Sequence, residues 1–119
     1  MEIVLLIILI VHWFADFVMQ TDEQAKGKSK SVVPLTAHVL TYSCIWFCFI
    51  LGWSEFNFEN SLIFFLITFV SHWVTDFITS RVGKIFWDKG DTHNGFVVVG
   101  FDQILHYIQL YLTFKLLFL

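Results

Sequence analysis

The chain has 119 residues, of which 57% are apolar, 19% are aromatic and only 14% are charged, and its mean hydropathy is +0.73. A water-soluble domain of this length lacks the polar surface to cover so many apolar side chains, so the composition indicates a membrane protein with a single domain. The formal charge of -3 argues against binding to a phosphate backbone, which needs a basic surface, and we expect no nucleic acid partner.

Four apolar stretches follow one another along the chain, each close to the roughly 20 residues that a membrane-spanning helix needs. They are residues 3–19, 33–52, 60–78 and 96–119. The sequence therefore predicts an all-α fold, an integral membrane four-helix bundle that forms one transmembrane domain over residues 1–119. The first stretch begins almost at Met1 without a basic leader or a cleavage site, so we expect it to remain in the membrane rather than to be removed as a signal peptide.

The connections between these stretches differ in charge. Six basic residues lie in the first and third connections, and they are Lys26, Lys28, Lys30, Arg81, Lys84 and Lys89. The only charged residues of the second connection are the acidic Glu55 and Glu59. The positive-inside rule therefore predicts that the first and third connections face the cytoplasm and that both termini lie outside. Residues 82–87 of the third connection mix aliphatic and aromatic side chains with basic neighbours, which predicts a short helix along the membrane surface.

A sequence element, His-Trp-x-x-Asp-Phe, occurs twice, at residues 12–17 and 72–77. Both copies end a helix that is predicted to run from outside to inside. A basic connection follows each copy, and the returning stretch then carries a histidine, His38 or His106. The pattern predicts two helical hairpins that are parallel repeats of each other, related by a two-fold axis along the membrane normal.

Seven titratable side chains fall inside the predicted spans, where each costs on the order of 2.5 to 3.5 kcal/mol on insertion scales. They are His12, Asp16, His38, His72, Asp76, Asp102 and His106. Six of them form pairs four residues apart, which places both members of a pair on one helix face. All seven come out at a similar depth in the cytoplasmic half, so we expect them to turn inward and meet inside the bundle.

Imidazoles and carboxylates at this spacing suit one or two divalent metal ions such as Zn, Mn or Fe, and helical bundles build metal sites in this way. The predicted metal ligands are His12, Asp16, His38, His72, Asp76 and His106. The candidate catalytic residues are Asp102, as a ligand or general base, and His93, which would close over the site from a polar turn. A hydrogen-bonded network that only holds the helices together is the alternative interpretation.

Polar and basic residues near the predicted cluster are the candidate substrate-binding residues. They are Gln20, Lys30, Arg81, Asn94 and Gln103. Lys30 and Arg81 lie closest to the helix ends and would bind a phosphate beside the metal, although such residues also serve simply to set topology. Cys44 and Cys48 are interpreted as small residues on one helix face, because no further cysteine exists to complete a thiolate site.

Six motifs carry a resemblance to a known family. They are His-Trp-x-x-Asp-Phe-x-x-Gln at 12–20, Lys-Ser-Lys at 28–30, Ala-His-Val at 37–39, His-x-x-x-Asp-x-x-Thr-Ser-Arg at 72–81, Lys-Gly-Asp-x-His-Asn at 89–94 and Gly-x-Asp-Gln-x-Leu-His at 100–106. Over almost its whole length the chain resembles a family of small bacterial and phage inner-membrane proteins classed as a domain of unknown function. It is more distantly similar to membrane-bound metal-dependent hydrolases. The resemblance implies a bacterial or phage source and a location in the inner membrane.

We expect a membrane-embedded metal-dependent hydrolase that acts on an ester or phosphoester, in a lipid headgroup or a lipid-linked phosphate, at the cytoplasmic interface. Two other classes stay open. One is a transporter of protons, ions or small solutes that uses the cluster as a polar path, and the other is a structural membrane subunit. Oxygen chemistry at a di-iron site ranks lower, because integral-membrane examples usually carry more than five histidines. Membrane lipid is the expected partner, and homo-oligomer formation is left open.

Overall fold

The computed structural model describes residues 1–119. Its regular secondary structure is entirely helical, and short turns connect the helices. Helix α1 spans Glu2–Trp13 and continues as a π-helical turn, Phe14–Val18, while α2 spans Asp22–Gly27, α3 Val32–Trp53, α4 Phe58–Asp88 and α5 Thr92–Phe118. The predicted all-α fold is confirmed. The molecule is elongated, with principal extents of 48 × 29 × 20 Å, because its four long helices run along one another.

Side-chain caps mark where four of the helices begin. Thr21 opens α2 in a capping box with Gln24, Ser31 caps α3, Asn57 caps α4 and Asp91 caps α5. Each cap accepts a hydrogen bond from a backbone N–H that has no partner within the helix. These polar residues therefore determine the points at which the chain turns from one helix into the next.

Helix α4 is longer than the apolar pattern predicted. It continues without a break past residue 78 to Asp88, so the predicted separate surface helix over residues 82–87 is wrong. The only proline of the chain is Pro34, so nothing in this stretch removes a helical hydrogen bond. The ion pair between Lys84 and Asp88, four residues apart, adds support to the last turns.

The four long helices surround a common interior with two layers. Helix α4 packs against both α3 and α5, while α1 contacts α5 and its π-helical turn contacts α3. One layer of the interior is apolar and consists mainly of Val4, Ile8, Trp46, Ile50, Phe64, Leu110 and Phe114. The other layer is polar and lies toward one end of the bundle. This end is formed by the α2–α3 connection, the end of α4 and the start of α5, and we call it the lysine-rich end.

The distribution of polar and apolar side chains is unlike that of a water-soluble protein. Only 24 of 119 residues are buried, and they include eleven polar or charged residues beside eleven hydrophobic ones. Large aliphatic side chains face outward instead, for example Val70, Ile104 and Leu112, each more than half exposed. By length and hydropathy, α3 and α4 are each suited to crossing a membrane. Membrane crossing by α1 and α5, and the relationship of the two hairpins as repeats, stay predictions.

Candidate metal centre

Six titratable side chains from four helical elements meet at one level of the interior. This His/Asp cluster consists of Asp16 on the π-helical turn, His38 on α3, His72 and Asp76 on α4, and Asp102 and His106 on α5. None of the six residues is more than 7% exposed. The structure thus brings together six of the seven titratable residues that lie within the four predicted spans.

The ligand atoms of the cluster form two groups that share one carboxylate. The first group is Asp16, His38, His72 and Asp76, and the second is Asp16, Asp102 and His106. In each group, one ligand atom from every residue lies within 4.8 Å of the corresponding atoms of the others. Neutral imidazole nitrogen and carboxylate oxygen are the donors that Zn, Mn and Fe accept in proteins.

The histidines of the cluster present the same ring nitrogen, Nε2, toward the carboxylates. Nε2 of His38 lies 2.8 Å from Oδ1 of Asp16 and 3.3 Å from Oδ2 of Asp76. It also lies 3.3 Å from Nε2 of His72. A ring nitrogen carries either one hydrogen or one lone pair, so a single Nε2 cannot satisfy all three neighbours as a hydrogen-bonding atom. A cation held by the nitrogen lone pairs and the carboxylates would satisfy them together, and the donor set fits a divalent metal.

Asp76 connects the two groups through its two oxygens. Oδ1 lies 3.1 Å from Nε2 of His106, whereas Oδ2 lies 3.1 Å from Nε2 of His72. Oδ2 also accepts a hydrogen bond of 3.2 Å from the ammonium group of Lys28. Burial disfavours the charged form of Lys28, but the nearby carboxylates, Asp76 foremost, outweigh burial and raise the pKa of its ammonium group. Lys28 therefore remains a cation beside the cluster, a role that sequence reasoning missed because the two residues are far apart in the chain.

His12 lies beside the His/Asp cluster but outside both groups of ligand atoms. Its Nδ1 lies 2.7 Å from the hydroxyl of Tyr42, and its Nε2 lies 2.5 Å from Oε1 of Gln103. Nε2 is also 3.4 Å from Oδ2 of Asp16. Because the amide oxygen can only accept, Nε2 donates to Gln103 and Nδ1 accepts the hydroxyl hydrogen of Tyr42. The geometry therefore shows His12 orienting its neighbours, and its predicted role as a ligand stays a prediction.

The second His-Trp-x-x-Asp element lacks the equivalent of Tyr42. Nδ1 of His72 is buried and has no hydrogen-bond partner. Tyr42 follows His38 by four residues, whereas the residue four positions after His106 is the apolar Leu110. The two halves of the cluster therefore differ, with a hydroxyl oriented toward the first histidine and none toward the second.

Asp16 owes its position to the π-helical turn. The backbone N–H of Met19 donates to the carbonyl of Phe14, five residues back, at 3.1 Å, instead of to the residue four back as in an α-helix. Short π-helical turns within helices occur frequently at functional sites. The corresponding residues 74–78 are ordinary α-helix, so the repeated sequence element contained no signal for this difference.

A cavity of about 470 Å³ lies between the His/Asp cluster and the lysine-rich end. Its buried part includes Asp16 and Asp102. Its outer part is lined by four lysines, Lys26, Lys28, Lys30 and Lys84. Oδ1 of Asp102 accepts a hydrogen bond of 2.5 Å from the hydroxyl of Thr79. The cluster is thus reachable by a ligand from the side on which the basic residues lie.

A family model described as a protein of unknown function, DUF3307, matches residues 4–119. The chain belongs to this family. The predicted resemblance to a family of unknown function is confirmed, while the distant likeness to hydrolases stays a prediction. No curated protein and no solved structure matches the chain.

The predicted substrate-binding residues of this DUF3307 protein divide into two sets. Gln20, Lys30 and Gln103 line the cavity, as does the candidate general base Asp102. Gln103 also donates from Nε2 to Oδ2 of Asp102 at 3.1 Å, so one amide group connects this carboxylate with His12. These residues are placed where a ligand in the cavity would touch them.

The other predicted residues lie outside the cavity. The guanidinium of Arg81 donates to the backbone carbonyls of Phe77 and Lys28 at 3.1 and 3.4 Å. It therefore holds the lysine-bearing connection against α4, and its predicted role in substrate binding stays a prediction. Asn94 is hydrogen-bonded to the helix cap Asp91. His93 lies on the first turn of α5, which begins at Thr92, and its side chain is exposed.

Proposed function

We propose that this protein is a membrane-embedded metal-dependent hydrolase that acts on an ester or phosphoester at the lysine-rich end. The observation that carries the proposal is the convergence of three imidazole Nε2 atoms on two buried carboxylates at the inner end of an accessible cavity. Helical bundles build hydrolytic and redox metal sites from such inward-facing pairs on neighbouring helices.

The metal in this proposal is one or two ions of Zn, Mn or Fe. A bound divalent ion would lower the pKa of water and polarise an ester oxygen. Two ions would be held by the two groups of ligands, both of which include Asp16. The carboxylate of Asp102 supports the reaction from the cavity side. Thr79 and Gln103 hold its carboxylate in place through hydrogen bonds, so it is positioned to take a proton from water, as a general base does.

The membrane location in this proposal is supported by the inverted burial pattern. Polar side chains fill the interior at one level while aliphatic side chains face outward along the helices, and such a surface is stable when lipid covers it. Six of the seven basic residues lie at the lysine-rich end. By the positive-inside rule, we place this end and the His/Asp cluster toward the cytoplasm of a bacterial inner membrane, with both termini outside.

A transport function is a second candidate, supported by one observation. Gln109 donates hydrogen bonds to the hydroxyls of Thr68 and Thr113, at 3.2 and 3.0 Å. These groups extend the polar interior beyond the histidines, away from the cavity. Bulky apolar side chains, among them Trp46 and Phe64, nevertheless fill the interior on that side. No residue of this apolar layer lines the cavity, which extends only from the His/Asp cluster to the lysine-rich end, and this favours a binding site over a path.

A purely structural polar network is less well supported than a metal site. Such a network stabilises helices by pairing its donors with acceptors, and an unpaired buried polar group costs about 1–3 kcal/mol. Here Nδ1 of His72 has no partner, while Nε2 of the same residue has three neighbours within 3.4 Å. The crowding at Nε2 is relieved when its lone pair binds a cation that it shares with the carboxylates.

The test is elemental analysis by mass spectrometry of the detergent-purified protein, together with hydrolysis of chromogenic phosphate and carboxylate esters. We expect near-integral Zn, Mn or Fe and measurable hydrolysis in the wild type, with both lost in His72→Ala. The matched control is Cys48→Ala, which removes an exposed potential metal ligand outside the cluster and should retain metal and activity. A folded wild-type protein that binds none of these metals would contradict the proposal.

A further inference from the structure

We propose that the cavity binds the phosphate group of a membrane lipid, with the ammonium groups of Lys26, Lys28 and Lys30 as its ligands. The inference rests on the proposed function, because it concerns the same site, and it narrows the substrate from esters in general to lipid phosphates. Four features of the cavity support it, namely its charge, the position of Lys28, its unpaired polar atoms and its apolar side.

The charge of the cavity changes sign between its inner and outer parts. The inner part contains the carboxylates of Asp16 and Asp102, both buried. In the outer part, Lys84 pairs with Asp88, whereas Lys26 and Lys30 form no ion pair with any residue of the chain. Ammonium groups without a counter-charge at the entrance of a cavity attract an anion, and phosphate is the anion that lysine commonly binds in proteins.

Lys28 stands where the lysines meet the His/Asp cluster. Its ammonium group lies 3.2 Å from Oδ2 of Asp76, and its side chain lines the cavity. Its backbone carbonyl accepts a hydrogen bond from Arg81, which fixes the segment from the other side. An ammonium group has three hydrogens, so Lys28 can donate to Asp76 and to a phosphate oxygen at once. A phosphate held by Lys28 would therefore lie next to the candidate metal ligands.

Two polar atoms in the cavity wall have no hydrogen-bond partner within the protein. They are the hydroxyl oxygen of Ser80 and Oε1 of Gln20, both inaccessible to solvent. Leaving such atoms unpaired costs free energy, so each one indicates a missing partner. When these side chains rotate toward the cavity, a phosphate oxygen would accept from the hydroxyl of Ser80, and a hydroxyl of a phosphate or of a lipid headgroup would donate to Gln20.

The source of the phosphate is inferred from the apolar side of the cavity. Phe17 on the π-helical turn and Val98 and Val99 on α5 line this side, and the side chain of Phe17 is 47% exposed. The cavity therefore borders side chains that would face acyl chains. Free phosphate has no apolar part to contact them, whereas the glycerol ester region of a lipid does.

The experiment is isothermal titration calorimetry on the full chain in dodecyl maltoside, with dioctanoyl phosphatidic acid, dioctanoylglycerol and inorganic phosphate as probes. We expect the phosphatidic acid to bind most tightly. In the double variant Lys26→Gln, Lys30→Gln, its affinity should fall about a hundredfold, since each of the two charged hydrogen bonds contributes about tenfold. The matched control is Lys89→Gln, Lys115→Gln, which changes the charge equally outside the cavity and should bind as the wild type does.

Three results would overturn the inference. These are equal affinity of the two double variants, binding of dioctanoylglycerol as tight as that of the phosphatidic acid, and binding of inorganic phosphate as tight as that of the lipid. Metal content measured on the same preparations separates this inference from the proposed function. Full metal without phosphatidic acid binding contradicts the inference alone, whereas tight, lysine-dependent lipid binding by metal-free protein supports the inference and contradicts the hydrolase.

Discussion

The hydroxyl of Tyr42 lies 2.7 Å from Nδ1 of His12 and joins α3 to α1 at the level of the His/Asp cluster. This hydrogen bond leaves Nε2 of His12 to donate to Gln103, which in turn contacts Asp102. A chain of four side chains therefore runs from the interior of the bundle to the candidate general base.

Removing the hydroxyl in Tyr42→Phe should destabilise the protein by about 1–2 kcal/mol, because a buried imidazole nitrogen loses its partner. The ring itself is retained, so its packing on His72 should persist. We expect a lower melting temperature in detergent with unchanged metal content. Tyr111→Phe is the control, since that hydroxyl contacts only the sulfur of Met1 at the surface. A melting temperature equal to that of the wild type would show that the hydrogen bond contributes nothing to stability.

Asp16 belongs to both ligand groups, whereas Asp102 belongs only to the second. Asp16 should therefore matter more for metal binding than Asp102. Asp16→Asn weakens both groups, whereas Asp102→Asn weakens only the second. We expect Asp16→Asn to lose all bound metal, and Asp102→Asn to lose at most one ion together with hydrolysis. Metal content per chain, measured by mass spectrometry, checks this. Retention of the full metal content in Asp16→Asn would mean that this residue is not a shared ligand.

Chelation should lower the thermal stability of the protein. A ligand that binds only the folded state, present at 100 times its dissociation constant, stabilises it by about 2.7 kcal/mol. Removal of the metal would also leave the buried carboxylates of Asp16 and Asp76 without their cation. We expect EDTA to lower the melting temperature by roughly 5 to 10 °C and added metal to restore it. His72→Ala should not respond to EDTA, and a wild type that does not respond would argue against a buried metal.

The wall of the cavity should be sensitive to one glycine of α5. A Cβ atom at Gly95 would lie 2.7 Å from three ring atoms of Trp87, and this tryptophan lines the cavity. Gly95→Ala should therefore displace the ring and lower the free energy of unfolding by about 1–3 kcal/mol. Gly100→Ala is the control in the same helix, because nothing lies within 4 Å of its added Cβ.

We expect Gly100→Ala to raise the free energy of unfolding by up to about 1 kcal/mol, because alanine favours the helix more than glycine does. Thermal melting in detergent compares the two variants. Equal stability of Gly95→Ala and Gly100→Ala would show that Trp87 adapts without loss.

Much of this architecture could be predicted from local chemistry. Apolar stretches of spanning length indicated the four long helices, and the i,i+4 spacing of His72 and Asp76 placed both on one face. Caps such as Asn57 and Asp91 are recognisable beside the apolar stretches. These features depend on residues a few positions apart, whose relative placement follows from helix geometry alone.

The composition of the site was decided by tertiary structure. The sequence motif treated His12 and His72 alike, yet His12 bonds to Tyr42 and Gln103 while His72 faces the carboxylates of the cluster. The contact between Lys28 and Asp76 spans 48 residues. Such contacts depend on how the helices cross and on the π-helical turn that redirects Asp16, and both result from the packing of the whole bundle. The sequence by itself determined which side chains would turn inward, and only the packing of the helices decided which of their atoms meet.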